Sequence, residues 1–425
     1  MVLWFTISGQ ATPFLSLNSD SDVVMKTPGT KDEIRGHMML VLEDGSIFKG
    51  SRLGADAEAV GEVVFNTSMT GYQEMLTDPS YGGQILIPTY PMIGNYGINR
   101  FDWESSRIQV RAFVVRNDCD APSHPDAEET VHEYLLNRGV PGVSGVDTRA
   151  ITRLIRSAGV MMGIVTPRVD AAKALTVLRD APRYGEVDEV AAVSTGKSYH
   201  WDSGNDLVES LGKKGGTDIA RNTKIVVIDY GLKRNILRNL SKRGCNVVVV
   251  PHDSVAEDVL RHDPDGVVLS PGPGDPELLP NALDTVSSMA GLVPMLGICL
   301  GHQLIARAFG AKTFKLKFGH RGGNHAVKEL STGRVYVTAQ NHGYAVAMKG
   351  LPPELDVTHI DLSDETAEGL KHRDLPIMTI QYHSEASPGP GDNEYLFDRF
   401  IDMVIAAKAG HSSESTLSST ERTFR

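Results

Sequence analysis

Two different rhythms of hydrophobic residues divide this chain. From about residue 38, short apolar runs alternate with polar and turn residues, and an Asp44-Gly45 pair between two of these runs predicts a β-hairpin. From residue 224, apolar runs of strand length alternate with segments of helical periodicity. The second pattern is typical of a parallel sheet with helices on both faces. The hydrophobic pattern therefore predicts two α/β units with different architectures.

The first unit, residues 38–190, is predicted to mix strands and helices. A long polar loop, residues 67–81, joins two of its strands, and a loop of this length inside a compact domain is often functional. Period-2 patterns predict the strands, and helical periodicity with capping side chains predicts the helices. The predicted strands are residues 39–43, 46–49, 59–66, 84–88 and 107–115, and the predicted helices are residues 127–138, 147–156 and 170–178.

The second unit, residues 223–409, is predicted to be a doubly wound sheet. In such sheets the reactive groups lie at the carboxyl ends of the strands. The predicted strands are residues 224–229, 245–251, 266–269, 291–298, 335–338, 344–348, 355–360, 367–371 and 377–382, and the predicted helices are residues 233–242, 255–261, 283–289, 300–309 and 394–407.

Three segments are expected to lie outside both units. Residues 1–37 are expected to be a disordered extension, because their short apolar patch has no basic segment before it and is too broken for a secretory signal. Residues 191–222 are expected to be a linker, and residues 410–425, rich in Ser, Thr and Glu, a disordered tail. The linker contains Gly196-Lys197-Ser198, but the glycine that a phosphate-binding loop needs upstream is absent, so we reject a nucleotide site there.

Composition and charge restrict the partners and the compartment. The formal net charge of −11 argues against non-specific binding to nucleic acid or to an acidic membrane, and no apolar run is long enough to cross a bilayer. Cys119, Cys245 and Cys299 are far apart, so they predict neither a disulfide framework nor a zinc knuckle. We therefore expect a cytoplasmic protein in a reducing compartment.

Cys299 lies at a candidate nucleophile elbow. An apolar run leads into residues 297–303 (GICLGHQ), a helical pattern leaves them, and the glycines permit a tight strand-to-helix turn. A helix N-terminus stabilises a thiolate, so the position favours a cysteine nucleophile. The alternative is a buried structural cysteine, which is the usual role of a lone thiol.

His383 and Glu385 are the candidate base and its orienting carboxylate. His383 follows the predicted strand 377–382, and an extended backbone places Glu385 on the same side two positions later. A structural histidine is the alternative. His302 lies one helical turn after Cys299 and is expected to pack or to form a hydrogen bond.

Three other histidines fall in two segments that the pattern predicts to be Gly/Asn-rich loops, residues 318–325 and 340–343. These are His320, His325 and His342. A metal site would need carboxylates or thiols nearby, and the sequence shows no such cluster beside them. We therefore predict no metal site, and expect the loops to line a pocket with backbone and amide groups.

Several motifs of the second unit together resemble the class I, triad-type glutamine amidotransferases. They are residues 297–303, the GPGDP loop at residues 272–276, QNHG at residues 340–343, and His383-x-Glu385. In the first unit, residues 61–74, 76–81 and 145–149 are similar to the small subunits of carbamoyl-phosphate synthase. The family usually has Pro where this chain has Ser384, and Asn where it has Pro271, which puts the fine positioning of the base and of the oxyanion loop in doubt.

The resemblance implies a fold, a reaction and a set of site residues. The fold would be a mixed α/β domain followed by a flavodoxin-like, doubly wound class I glutamine amidotransferase domain. Cys299 would attack glutamine, His383 would transfer protons, and Glu385 would orient His383. Backbone N–H groups of Leu300 and Gly272 would stabilise the oxyanion. Glutamine would be bound by Ser80, Gly272, Gly274, Leu300, Gln303, Asn341, Gly343 and Tyr344.

The resemblance also implies a partner. A carbamoyl-phosphate synthase large subunit would take the ammonia and use bicarbonate, ATP and Mg²⁺, for arginine and pyrimidine biosynthesis, while this chain would need no cofactor. The pair would be a heterodimer, with a higher oligomer of heterodimers as an option. One alternative is the amidotransferase component of another biosynthetic complex, which should lack residues 39–190. Another is a regulatory subunit with a degenerate site, against which intact Cys299, His383 and Glu385 argue.

Overall fold

A computed structural model describes residue 31 and residues 35–202 and 222–421, with side chains described as far as residue 409. The predicted disordered extension, residues 1–37, falls almost wholly outside the described residues, and so does most of the predicted linker.

The first unit is a closed β-barrel with helices packed outside it. The sequence predicts a mixture of strands and helices here but not the closure of the sheet. The strands are β1 (His37–Leu42), β2 (Ile47–Gly54), β3 (Ala59–Asn66), β4 (Gln84–Pro88), β5 (Met92–Ile93), β6 (Ala112–Val115), β7 (Asn117–Asp118), β8 (Pro141–Ser144) and β9 (Met161–Thr166). The helices are α1 (Tyr72–Thr77), a short 3₁₀ turn (Pro79–Tyr81), α2 (Val131–Asn137), α3 (Thr148–Ala158) and α4 (Ala171–Asp180).

Antiparallel pairing of β1 with β9 closes the barrel. The strand order is β1-β2-β8-β6-β4-β3-β9, and β1 forms with β2 the hairpin that Asp44-Gly45 predicts. The alternating side chains of the strands fill the interior with apolar residues, among them Leu40, Val63 and Ile85. A barrel leaves no free edge, so its strands cannot recruit a further strand.

Two predicted elements of the first unit are shorter in the structure. The strand expected at 107–115 covers only Ala112–Val115. The helix expected at 127–138 begins at Val131, because Thr130 and Glu133 form a capping box that fixes the helix start.

The second unit is one large sheet with helices on both faces, as predicted. Its strands are β10 (Tyr199–His200), β11 (Lys224–Asp229), β12 (Asn246–Pro251), β13 (Gly266–Leu269), β14 (Met295–Ile298), β15 (Thr313–Glu329), β16 (Val335–Val346), β17 (Leu355–Asp361), β18 (Ala367–His372) and β19 (Ile377–Ile380). Its helices are α5 (Val190–Val193), α6 (Arg234–Lys242), α7 (Ala256–Leu260), α8 (Pro280–Met289), α9 (Leu300–Ala308) and α10 (Tyr395–Glu421), with a 3₁₀ turn at Pro276–Leu278.

The parallel centre of this sheet positions the site. The strand order is β10-β12-β11-β13-β14-β19-β18-β17-β15-β16, and β12, β11, β13, β14 and β19 run parallel. Apolar side chains such as Val286 and Leu304 fill one face, and Ile236 and Phe400 fill the other. Because β14 and β19 are parallel neighbours, the residues that follow their carboxyl ends lie side by side.

The prediction of two Gly/Asn-rich loops is wrong. Residues 318–325 lie inside β15, residues 340–343 lie inside β16, and His320 pairs with His342 across the two strands. Register shifts on either side of this pair absorb the irregular backbone, as β-bulges do, so the glycines bend the strands without ending them.

The last helix is longer than predicted. It continues to Glu421, whereas the sequence predicts a disordered tail from residue 410. A helix that packing has nucleated adds residues at little further cost. Residues 422–425 lie outside the description. Among the described helices, none combines the length and the apolar character that a membrane crossing needs.

Candidate active site

Cys299 occupies a strained turn between β14 and α9. Its φ is 53° and its ψ −104°, a backbone conformation that residues other than glycine rarely adopt. The Cys299 N–H donates to the carbonyl of Ile380 at 2.8 Å, which ties the turn to the neighbouring strand. The predicted nucleophile elbow is therefore present, with the thiol at the start of a helix.

Glycines allow the elbow to lie close to the sheet. A Cβ on Gly301 would lie 2.2 Å from the carbonyl oxygen of Leu269, and one on Gly297 would lie 2.6 Å from that of Gly301. Both distances are well below the closest approach of non-bonded carbon and oxygen atoms. The two glycines of the GICLGHQ motif are therefore required by the close packing of strand and helix.

His383 and Glu385 form the predicted pair beside the elbow. Nδ1 of His383 lies 2.6 Å from Oε1 of Glu385, and both side chains are buried. The His383 N–H donates to the carbonyl of Ala339 at 2.9 Å, which holds the histidine against β16. Because a carboxylate only accepts, Nδ1 carries the proton and the other nitrogen, Nε2, is left for the thiol.

Charge keeps this pair ionised. Burial lowers the pKa of His383, but the Glu385 carboxylate and contact with the Cys299 thiol outweigh it and raise that pKa to about 10. Burial raises the pKa of Glu385, but Lys233 and His383 outweigh it and hold that pKa at about 2. At neutral pH the structure therefore favours an imidazolium beside the nucleophile.

Lys233 is a member of this network that the sequence did not reveal. It precedes α6 and is fully buried, and its ammonium lies 3.1 Å from Oε1 of Glu385 and donates to the carbonyl of Ala386. Burial lowers the pKa of Lys233, but the carboxylates of Glu385, Asp78 and Glu104 raise it above the ordinary value. The only signal in the sequence is a lysine just after the carboxyl end of β11.

A narrow cavity opens beside Cys299. It contains most of the residues that the resemblance assigns to glutamine. The predicted residues that line it are Ser80, Gly272, Gly274, Gln303, Asn341, Gly343 and Tyr344.

Leu300 is the exception among the predicted glutamine residues. Its side chain packs in the core of the sheet, so only its backbone can face the cavity. Neither the Leu300 N–H nor the Gly272 N–H donates to an acceptor within the described part of the chain. Both N–H groups therefore remain open for a ligand.

The individual cavity residues differ in what they can offer. Oγ of Ser80 is buried and has no hydrogen-bond partner among the described residues, so it is ready for a ligand. The Gln303 amide instead donates to the Tyr344 carbonyl at 2.8 Å and to Gln381 at 3.1 Å. The Gly274 N–H is likewise engaged, by the Tyr184 hydroxyl at 2.7 Å. Gln303 therefore stabilises the wall of the cavity, because its amide N–H groups already donate to protein acceptors.

The cavity lies between the two units. Asp78, from the barrel, accepts from the Asn341 amide at 2.9 Å and from the Ser80 N–H at 2.9 Å. Lining residues that the resemblance did not assign to glutamine are Gln84, Tyr184, Pro273, Arg321 and His342. Gln84 and Tyr184 come from the first unit, and no local motif marks them.

A second contact between the units lies behind Cys299, His383 and Glu385. Glu104 of the barrel unit lies 3.3 Å from Arg238, and its other oxygen accepts from the Asn235 N–H at 3.1 Å. Asn235 also donates to the carbonyl of Glu385. The barrel unit is thus connected to the backbone of the triad as well as to the cavity.

The remaining positions singled out in the sequence have structural roles. Nδ1 of His302 lies 2.8 Å from the Thr379 hydroxyl, and burial lowers the pKa of His302 to about 3, so it stays neutral, as its expected packing role requires. Ser384 donates its N–H to the Tyr382 carbonyl at 3.1 Å, which a proline cannot do. The Pro271 carbonyl accepts from the Ser270 hydroxyl at 2.8 Å.

Comparison with known proteins gives a consistent result across both units. Residues 40–165 match the family described as carbamoyl-phosphate synthase small chain, CPSase domain, and residues 226–403 match glutamine amidotransferase class-I. The carbamoyl phosphate synthase small chain of Bacillus caldolyticus is 51% identical over 369 residues, which cover 86% of this chain and 96% of that protein. The one from Listeria monocytogenes is 50% identical over 373 residues, covering 88% and 98%. Among solved structures, a glutamine amidotransferase from Thermotoga maritima covers 46% of this chain and 86% of its own at 17% identity, with a TM-score of 0.32.

Proposed function

This chain belongs to the family of carbamoyl phosphate synthase small chains, and we propose that it hydrolyses L-glutamine at Cys299 and supplies the ammonia to a large synthetase chain. Membership of that family makes it the glutamine amidotransferase subunit of the enzyme. The observation that carries the proposed chemistry is the strained Cys299 elbow, next to the His383–Glu385 pair and a cavity lined by Ser80.

The first half of the reaction forms a thioester. The Cys299 thiolate adds to the side-chain carboxamide carbon of glutamine, and the carbonyl oxygen becomes an oxyanion. The open N–H groups of Leu300 and Gly272 are the donors that would stabilise it, an effect worth about 3 kcal/mol for one such donor. When the C–N bond breaks, the His383 imidazolium gives its proton to the departing ammonia.

The second half releases glutamate. His383, now neutral, accepts a proton from water while the oxygen adds to the thioester carbon. The C–S bond then breaks, and glutamate leaves with the thiolate restored. The sum is glutamine plus water to glutamate plus ammonia. Glu385 and Lys233 keep the imidazole orientation and the local charge fixed through both halves.

The ammonia would be used by a partner. We propose a heterodimer in which a large synthetase chain forms carbamoyl phosphate from ammonia, bicarbonate and ATP with Mg²⁺, for arginine and pyrimidine biosynthesis. The small-chain relatives support such a partnership. The reaction derived above needs no cofactor on this chain.

Replacement of the nucleophile tests this function. In a complex with a large synthetase chain, Cys299→Ala should abolish carbamoyl phosphate formation from glutamine and leave formation from added ammonia intact. Cys119→Ala, away from the elbow, is the matched control and should retain both activities. Glutamine use that survives in Cys299→Ala would disprove the assignment of the nucleophile. A purified chain that never associates with a large chain would disprove the proposed partnership.

A further inference from the structure

Behind the glutamine cavity, three strands bring together a buried cluster that the reaction does not use. His320 on β15, His342 on β16 and Glu368 on β18 have exposed fractions of 6%, 5% and 0%. The three side chains offer ligand atoms that lie within 4.8 Å of one another. Such a cluster is costly to bury unless its polar atoms have partners.

The facing atoms in this cluster have no ordinary partners. Nδ1 of His320 lies 3.7 Å from Oε1 of Glu368, and Nε2 of His342 lies 3.8 Å from the same oxygen. These distances are too long for hydrogen bonds, and both nitrogens lack a hydrogen-bond partner among the described residues. The other contact of that oxygen is the Thr366 hydroxyl at 3.5 Å.

The surrounding groups fix the direction of both imidazole lone pairs. Nδ1 of His342 lies 2.8 Å from the Tyr344 carbonyl, which only accepts, so Nδ1 carries the proton and Nε2 is left unprotonated in the neutral ring. Nε2 of His320 lies 2.9 Å from Oδ2 of Asp364, so a neutral His320 presents an unprotonated Nδ1. Both lone pairs therefore point to the centre of the cluster.

This support is the kind that metal-binding histidines have. A ligating histidine almost always donates its second N–H to a carboxylate or a backbone carbonyl, which sets the tautomer and the ring orientation. Glu368 is supported too, because the Gln340 amide donates to its other oxygen at 2.8 Å. One oxygen of Glu368 is thus held in place while the second faces the two imidazoles.

We propose that His320, His342 and Glu368 bind one Zn²⁺ ion. Two imidazoles and one carboxylate, with a water in the fourth position, are a donor set that zinc accepts. Bonds of about 2.1 Å in a tetrahedron place the ligand atoms about 3.4 Å apart, so the imidazole–carboxylate separations of 3.7 and 3.8 Å would shorten by about 0.3–0.4 Å. The sequence predicted no metal here because Glu368 lies on a strand that its pattern does not connect to the histidines.

A second arrangement shares His320 with His325 and Asp361. In it, Nδ1 of His325 is already 3.3 Å from Oδ2 of Asp361, so these two groups satisfy each other. We therefore assign the ion to the first arrangement, whose two facing imidazole nitrogens have no hydrogen-bond partner among the described residues.

The role of this ion is structural. It would join β15, β16 and β18 at the cavity wall, to which His342 belongs together with its neighbours Asn341 and Gly343. The ion would therefore hold the wall in place and supply no group to the reaction. This inference does not depend on the proposed function.

Metal content and a zinc titration of the full-length chain test the site. We expect about one Zn²⁺ per chain after dialysis, and a melting temperature of the metal-free chain that rises when Zn²⁺ alone is added. Glu368→Gln should lose both properties. Asp364→Asn removes a partly exposed carboxylate that orients His320 without being a ligand, so it should fold and bind Zn²⁺ about 10- to 100-fold more weakly. His359→Gln, another buried histidine, is the matched control and should bind zinc normally.

Three outcomes would overturn the proposal. If the melting temperature of the metal-free chain does not change when Zn²⁺ is added, a water or a protonated His320 occupies the space between the three side chains. Zinc binding lost in His325→Gln and kept in Glu368→Gln would place the ion in the second arrangement. If Glu368→Gln does not fold, Co²⁺ added to the metal-free wild-type chain decides: a visible spectrum without four-coordinate bands would exclude the site.

Discussion

At the scale of single residues, the charge of His383 is set by its neighbours. The imidazole is buried, which alone would keep it neutral, yet Glu385 raises its pKa to about 10. Lys233 in turn keeps Glu385 ionised. The proton that the proposed mechanism gives to the departing ammonia is therefore already on His383 across the neutral range, and it is lost only as the pH rises through about 10.

Replacing Glu385 by Gln should remove this proton. Burial, which lowers the pKa, would then outweigh the raising contacts, and His383 would be neutral at pH 7. We expect glutamine hydrolysis at pH 7 to fall by about 100-fold or more, and the residual activity to move to acidic pH. The pH profile of kcat/KM measures both effects.

A surface carboxylate provides the control for that experiment. Glu257→Gln changes an exposed residue of α7 and should keep both the rate and the profile. A Glu385→Gln variant with the profile of the wild type would show that Glu385 does not govern the proton of His383.

Residues marked by a local motif were predictable, and those that act across the fold were not. Cys299, His383 and Glu385 stand in short patterns whose geometry follows from strand and helix periodicity. No local motif marks Lys233, because its contact with Glu385 forms only when β11 and β19 lie in the same sheet. The same holds for Tyr184 and Gln84, which enter the cavity from the other unit.

At the scale of elements, the elbow depends on how closely α9 approaches β13. We expect Gly301→Ala to destabilise the chain by about 1–3 kcal/mol, because the new methyl group would overlap the Leu269 carbonyl. Displacement of α9 would also move the thiol, so glutamine hydrolysis should fall by more than the folded fraction falls. Urea denaturation and steady-state kinetics on the same sample separate the two effects.

A second glycine gives the control for the elbow. A Cβ on Gly196 would meet no atom within 4 Å, so Gly196→Ala should be neutral in both assays. Equal stability of Gly301→Ala and the wild type would show that the helix can move away from the sheet at no cost.

Element types were predicted well where periodicity was clean. The strands Ala59–Asn66, Gln84–Pro88 and Lys224–Asp229 have the predicted bounds. The failures lie in β15 and β16, where glycine and asparagine suggest loops but pairing across bulges keeps the strands continuous. That pairing depends on a partner strand, which a local pattern does not contain.

At the scale of the whole molecule, Asp78 joins the two units at the cavity. It accepts from Ser80 within the barrel unit and from Asn341 across the boundary. We expect Asp78→Asn to raise KM for glutamine by about tenfold, since losing a hydrogen bond to a charged group costs about 1.5 kcal/mol and both donors line the cavity. Kinetics of the complex with glutamine and with ammonia measure the effect.

Ammonia-dependent synthesis should be unchanged in Asp78→Asn. The control is Asp56→Asn, which alters an exposed ion pair with Arg52 inside the first unit and should behave as the wild type. A KM for glutamine that stays constant in Asp78→Asn would show that the contact between the units does not shape the cavity.

Global closure was the part of the fold least accessible from sequence. The pairing of β1 with β9 joins segments from the two ends of the first unit, with Leu40 opposite Val165. Each strand was predictable, but their order around the barrel is set by packing of the interior, which the linear pattern does not encode.

The shared cavity has a consequence for dissecting this protein. Ser80, Gln84 and Tyr184 belong to the barrel unit, and Cys299 with Tyr344 belongs to the other. Cutting the chain between the two units would remove one wall of the pocket, so that bulk water would replace the serine and tyrosine side chains at the proposed glutamine site. We therefore expect that the second unit alone would not retain activity, and that a fusion protein would need the barrel unit as well.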